Sequence, residues 1–125
     1  MSDLPSHGVY TRIQPSSRHG VGVFAIRPIT SGTKIFEIDD SEIIWLDKRS
    51  IDELAPVLHK LFDDFCIVKN GRLGCPRNFN AMTPSWYLNH SGTPNVACDE
   101  RFDFFAGRDI AVGEELTIDY RTYSE

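Results

Sequence analysis

A mainly β, α+β fold of several small sheets with one helix is predicted by three observations. Short runs of β-branched and aromatic residues recur along the chain. Nine glycines and seven prolines punctuate them. Only one stretch carries apolar residues at helical spacing. The 125 residues suit one domain. No composition break or internal repeat divides them, so residues 1–125 are read as a single domain.

The elements follow in order. The polar run at 14–20 reads as a loop and 21–26 as a buried strand, while 34–38 and 43–46 read as further strands beyond a turn at Ser31-Gly32. Ile51, Leu54, Leu58, Leu61, Phe62 and Phe65 repeat at helical spacing, with Ser50 and Glu53 forming a capping-box pattern. Pro56 falls inside that pattern and lacks a backbone donor, so the helix begins near Pro56 or kinks there. Asn70-Gly71 is the strongest hairpin signal, because both residues tolerate the positive φ of a type I′ turn. Two strands at 95–98 and 102–106, joined through Asp99-Glu100-Arg101, and a last alternating strand at 115–120 complete the set.

Thirteen Lys and Arg against eighteen Asp and Glu leave a net charge of −5, which repels a phosphate backbone and argues against direct nucleic-acid binding. The acidic pairs Asp39-Asp40, Asp63-Asp64 and Asp99-Glu100 are either solvated surface charge or an attraction for a basic, lysine-bearing peptide. Cys66, Cys75 and Cys98 are odd in number and form no CxxC pair, which fits reduced thiols and no metal site. Neither an export leader nor eighteen consecutive apolar residues is present. A soluble intracellular protein of cytoplasm or nucleus, or one delivered to a host cell, is expected.

Three short segments carry chemistry. Gly20-Val21-Gly22 leads into a strand and lets backbone approach a ligand, or simply makes a tight turn; no third glycine opens a helix, so it is not a dinucleotide fingerprint. Asn89-His90-Ser91, ahead of Pro94-Asn95, concentrates donors and acceptors where a regular strand cannot continue, and reads as a site or as a polar structural turn. A Ser-His-Asp hydrolase is a poor alternative without a GxSxG elbow, and His90 with Cys98 lacks any thiol-enzyme signature. Tyr120, directly after Asp119, is either a half-buried strand tyrosine or a functional hydroxyl.

Taken in order, Gly20-Val21-Gly22-Val23-Phe24-Ala25, Leu88-Asn89-His90-Ser91 with Pro94-Asn95, then Arg108-Asp109-Ile110 and residues 113–120 (GEELTIDY) resemble the SET-domain protein lysine methyltransferases. The resemblance runs over residues 8–123. It implies a SET-type β-clip of several small sheets with one inserted helix, and a C-terminal pseudoknot formed with Asn89-His90-Ser91. It also implies that His19, Gly20, Val21, Gly22, Asn89, His90 and Tyr120 hold S-adenosyl-L-methionine, with Tyr120 as the catalytic tyrosine between cofactor and lysine pockets. Tyr87 and Tyr123 are candidates to line the lysine channel, with ordinary packing as the alternative for each. Ile118 stands where family members often place a Phe or Tyr that influences methyl number; as it cannot hold a water, multiple methylation is expected.

Two departures accompany the resemblance. Gly92 replaces the cysteine that many members use with three later ones to bind zinc, and no cysteine follows Cys98; no cysteine-rich segment precedes the domain either. A minimal free-standing type is expected, similar to small viral and bacterial members, in which a homodimer or the substrate protein closes the lysine channel. Trp86 stands where the family often has an arginine. The expected partner is a protein presenting a lysine, histone tails being the commonest substrate in the family. The competing reading is a non-catalytic SET-like peptide-binding module, and a third is an accidental match in another small β-rich domain.

Overall fold

The computed structural model describes residues 4–37 and 40–124. Ile38 and Asp39, read above as the end of a strand and part of an acidic pair, lie outside them. Among the described residues, ten strands and one α-helix follow in chain order: β1 (Thr11–Pro15), β2 (Val21–Ala25), β3 (Lys34–Phe36), β4 (Ile43–Asp47), α1 (Pro56–Phe65), β5 (Ile67–Lys69), β6 (Arg72–Pro76), β7 (Asn89–His90), β8 (Val96–Cys98), β9 (Phe104–Ala106) and β10 (Glu115–Ile118). They form three small sheets, ordered β1-β2-β10-β7, β3-β9-β8 and β4-β6-β5.

Strand β10 changes partner along its length. Glu115 and Leu116 pair antiparallel with Phe24 and Val23 of β2, whereas Thr117 and Ile118 pair parallel with Asn89 and His90 of β7. This parallel pairing joins the C-terminal segment to Asn89-His90, the connection that the expected pseudoknot requires. The inner faces of the first two sheets close on Val23, Ile29, Leu88, Val96, Phe104, Ile110, Leu116 and Ile118, all nearly inaccessible to water. A smaller core of Ile51, Leu73 and Cys75 lies under the third sheet.

Several local expectations are corrected. Thr11 to Pro15 pairs with β2, a strand not read from the sequence; its proline ends an edge strand, where a missing donor is tolerated. The helix begins at Pro56 itself, whose fixed φ suits the first helical position and whose absent N–H is not needed there. Ser50 and Glu53 form no capping box: residues Lys48–Ile51 make a separate 3-10 turn, capped by the Asp47 carboxylate. Phe102 adopts φ 63°, so the strand expected at 102–106 begins only at Phe104. The last strand stops at Ile118, and Tyr120–Thr122 forms a 3-10 turn in which the Asp119 carboxylate accepts the Arg121 N–H. The hairpin at Asn70-Gly71 forms as expected, with φ of 55° and 72°.

Asn95 fastens the second sheet to β10. Its Nδ2 donates to Glu115 O (2.8 Å) and Glu114 Oε2 (3.0 Å), while its Oδ1 accepts Thr117 N–H (2.8 Å), with only 2% of the residue exposed. Asn95→Ala leaves a buried amide and carbonyl without partners, each worth about 1–3 kcal/mol, and is expected to destabilise the fold by about 3 kcal/mol in urea unfolding.

Glu114 also receives Arg108, whose guanidinium holds the carboxyl at about 2, below its ordinary 4.5. A carboxyl with a depressed folded pKa contributes stability that is complete above its unfolded value and lost as pH falls through the folded one. The thermal midpoint should therefore drop between pH 5 and pH 2, and Glu114→Gln should flatten that slope relative to the parent protein.

Candidate active site

The segment between β1 and β2 is held by a carboxylate from β10. Ser16 Oγ donates to Glu115 Oε1 (2.8 Å), Ser16 N–H donates to Gly20 O (2.9 Å), and Arg18 N–H returns to Ser16 Oγ (3.0 Å). Asn89 reaches the same place from β7. Its Nδ2 lies 2.8 Å from Glu115 Oε2 and 3.0 Å from Val21 O, with His19 O at 3.4 Å. An amide has two protons, so the two short contacts take them, and the longer ones, to His19 O and to Ser16 Oγ at 3.3 Å, are weak. The Asn89 side chain is thus spent on shaping the loop around His19, Gly20 and Val21.

The two glycines serve different purposes. Gly20 has φ +47°, which turns the chain into β2. At Gly22 a Cβ would lie 2.3 Å from Glu115 Oε2 and 3.1 Å from Asn89 Nδ2, so the missing side chain makes room for the carboxylate rather than for a ligand.

Tyr120 leaves the end of β10 and is fixed twice to the chain around β7. Its hydroxyl donates to Leu88 O (2.5 Å), and its backbone N–H donates to His90 Nδ1 (3.1 Å). Because Nδ1 is an acceptor there, a neutral His90 carries its proton on Nε2. The two rings pack with centroids 5.2 Å apart. Asp119, between them in sequence, pairs with Arg121 at 2.7 Å, and that guanidinium brings the carboxyl down to about 2. Burial raises the Tyr120 phenol above its ordinary value and raises Tyr123 as well, where the Tyr120 and Cys98 groups add to the effect.

Two cavities meet at this tyrosine. One, of about 220 Å³, is lined by His19, Gly20, Val21, Asn89 and Tyr87. The other, of about 320 Å³, is lined mainly by apolar groups including Ile43, Ile67, Phe102, Phe104 and Tyr123. Asp64, Phe65, Trp86, Leu88 and Tyr120 line both. Among the predicted residues, His19, Gly20, Val21, Asn89 and Tyr120 come together around the smaller cavity, while Gly22 is buried behind them and His90 stands against the Tyr120 ring. Tyr123 lines the larger cavity. Of the other channel candidates, Tyr87 lines the smaller cavity, edge-on to Phe65 at 5.6 Å, and Ile118 lines neither, being 1% exposed within the main core.

The shared wall of Phe65 and Trp86 was not anticipated. Phe65 belongs to a helical pattern that signals a buried face without saying whether the face packs on protein or borders a cavity, and Trp86 carried no signal beyond replacing an expected arginine. Among the described residues, no group of three His, Cys, Asp or Glu could hold a metal ion, and no helix is long and apolar enough to cross a membrane.

One hydroxyl thus stands at the wall shared by a polar-lipped cavity and an aromatic one. The chain belongs to the SET domain family, whose model matches residues 20–121. That family generally comprises lysine methyltransferases. Among solved structures, the chain is similar to a candidate histone methyltransferase of Plasmodium falciparum, at 20% identity and a TM-score of 0.56, covering 90% of this chain and 93% of that one. At that identity the likeness concerns the fold. No curated protein matches the chain.

The crowding at Gly22 has a measurable consequence. Gly22→Ala is expected to destabilise the protein by about 2 kcal/mol through overpacking, but by less than about 1 kcal/mol in a Glu115→Ala background, where the obstructing carboxylate is gone. A double-mutant cycle in urea checks this.

Proposed function

We propose that the chain is an S-adenosyl-L-methionine-dependent protein-lysine N-methyltransferase. The observation that carries this reading is Tyr120, anchored to the Leu88 carbonyl at the wall common to the two cavities. The residues of the smaller cavity fit the cofactor's chemistry: Phe65, Trp86 and Tyr87 offer apolar and aromatic surface to a purine, and the turn at His19 to Val21 offers polar backbone to a methionyl group. When bound, the cofactor supplies a methyl group on a cationic sulfur, open to in-line displacement by a neutral amine.

The protein's task is to align that amine and keep it uncharged. A lysine of pKa ≈ 10.4 is neutral only about 4 times in 10,000 at pH 7, a deficit of roughly 4.6 kcal/mol. Phe65, Phe102, Phe104 and Tyr123 strip water from an amine entering the larger cavity, and such desolvation lowers an ammonium pKa. Tyr120 gives its proton to Leu88 O, so its oxygen can accept an N–H bond and point the nitrogen lone pair towards the smaller cavity. Burial keeps that phenol protonated, and it acts by orientation rather than as a base.

The substrate is a lysine-bearing protein segment, a histone tail being one candidate. Asp63 and Asp64 at the larger cavity favour basic neighbours, although Lys60 already engages Asp64 at 3.0 Å. A second copy or the substrate protein is the proposed cover of the lysine side. A monomer fully active on a short free peptide would contradict that cover.

Incubation with methyl-labelled cofactor and a cell lysate tests the activity. The parent protein is expected to label protein lysines, and Tyr120→Phe to lose on the order of 100-fold in rate while still binding S-adenosylhomocysteine, seen as thermal stabilisation. Cofactor binding without label transfer to any protein would turn the assignment to a non-catalytic binding module. The rate should rise with pH from 7 towards 9 as the amine deprotonates, with no fall from phenol ionisation below about pH 10, because burial moves the Tyr120 pKa upwards.

A further inference from the structure

Cys66 and Cys75 face each other across the hairpin below the larger cavity. The register of β5 and β6 pairs Lys69 with Arg72, Val68 with Leu73 and Ile67 with Gly74, so the next step sets Cys66 opposite Cys75. In an antiparallel pair closed by a two-residue turn, hydrogen-bonded and non-hydrogen-bonded pairs alternate outward from the turn. Counting from Lys69 and Arg72, the cysteines occupy a non-hydrogen-bonded position, and the Cys66 N–H is accordingly free to bond Phe62 O at the end of α1. Such pairs have Cα atoms about 4.5 Å apart with the side chains at their closest. That separation lies within the range of roughly 4.4–6.8 Å that a disulfide spans.

Packing agrees with the register. Cys66 and Cys75 share one face with Val68 and Leu73, in the small core that also holds Ile51 and Phe62. Each thiol acts on the other, the Cys75 group raising Cys66 and the Cys66 group lowering Cys75. Cys75 is 1% exposed, but Cys66 lines the larger cavity and so gives a small reagent a way in. Cys98 lies elsewhere, with its thiol pushed up to about 12 by burial and by Asp99 and Asp103. Of the three cysteines, only this pair is placed to react with itself.

We propose that Cys66 and Cys75 form a reversible disulfide, a redox modification site that locks the foot of α1 to β6 and slows methyl transfer. The oxidant is a peroxide. One thiol of the pair gives up its proton and attacks a peroxide oxygen, the O–O bond breaks, and the leaving hydroxide takes up that proton as the first water, leaving a sulfenic acid. The second thiol attacks that sulfur and expels the second water, so that two thiols and one hydrogen peroxide give one disulfide and two waters. Locking Cys66 constrains its neighbours Phe65 and Ile67, which line the larger cavity. The effect on methyl transfer rests on the function proposed above, whereas the disulfide does not.

The test treats the reduced protein with a small excess of hydrogen peroxide, alkylates free thiols and maps tryptic peptides. The expected result is a linkage between peptides 61–69 and 73–77, one alkylatable thiol where the reduced chain has three, and reversal by dithiothreitol. Label transfer should fall at least about threefold on oxidation and recover on reduction, and in Cys75→Ala it should be unaffected by peroxide. Full alkylation of both Cys66 and Cys75 after peroxide would overturn the proposal, as would a linked protein that transfers label at the reduced rate. If no form transfers label, the methyltransferase reading fails, and the peptide map of the unmutated chain still decides the disulfide.

Discussion

The divided pairing of β10 is the constraint from which the site follows. A strand of four residues can satisfy only a few backbone groups, and this one gives its first half to β2 and its second to β7. The exchange of partners draws the turn before β2 and the start of β7 to one place, and Tyr120 is the second residue beyond the strand. Side chains secure what so few ladder bonds cannot. Glu115 and Asn89 clamp the turn around His19 to Val21, and Asn95 holds the outer edge of β10 through three hydrogen bonds. Each clamp is polar and largely shielded from water, where an unmet partner is costly, so the pieces depend on one another.

Around this polar frame the cavities are built from rings. Phe65 stands edge-on to Tyr87, and Tyr123 packs edge-on to Phe102, Phe104 and Tyr120. Aromatic rings supply a large apolar surface with few rotatable bonds, so they make walls that hold their shape without being filled. The helix that contributes Phe65 buries none of its residues fully and leaves Val57 and Leu58 to solvent. Phe62 seats it on the smaller core and edge-on to Phe79 at 5.1 Å, and Cys66 forms its junction with β5. A small constraint at that junction therefore acts on a wall of both cavities.

What could be read from the sequence was mostly local chemistry. Asn70-Gly71 specifies its turn because two adjacent residues supply the required backbone geometry, and Pro56 marks a helix start for the same kind of reason. The Ser50 and Glu53 pattern misled because a capping box needs a helix to begin at Ser50, and the Asp47 carboxylate instead caps a shorter turn there. Strand β1 was obscured by mixed polarity: it is an edge strand with most of its side chains in water, so alternation never develops. Asn89 and Tyr120 are singled out by the order of three motifs, while their hydrogen-bond partners are not. The Glu115 carboxylate and the Leu88 carbonyl lie 26 and 32 residues from those side chains in sequence, and no periodicity encodes such meetings. Ile118 was assigned to the channel by its distance from Tyr120, but the chain turns at Asp119 and leaves it in the core.

The anchoring of Tyr120 bears on how the chain can change length over evolution. Its hydroxyl and amide are both held by residues 88 and 90, so the position of that ring is set by one pairing two residues long. An insertion in the exposed turn at 99–101, between β8 and β9, leaves that pairing untouched. A single residue gained between Ile118 and Tyr120 displaces the hydroxyl by about 3.3 Å, one strand step, and separates it from both anchors. Chain length is therefore fixed between Ile118 and Tyr120 by the two bonds to residues 88 and 90.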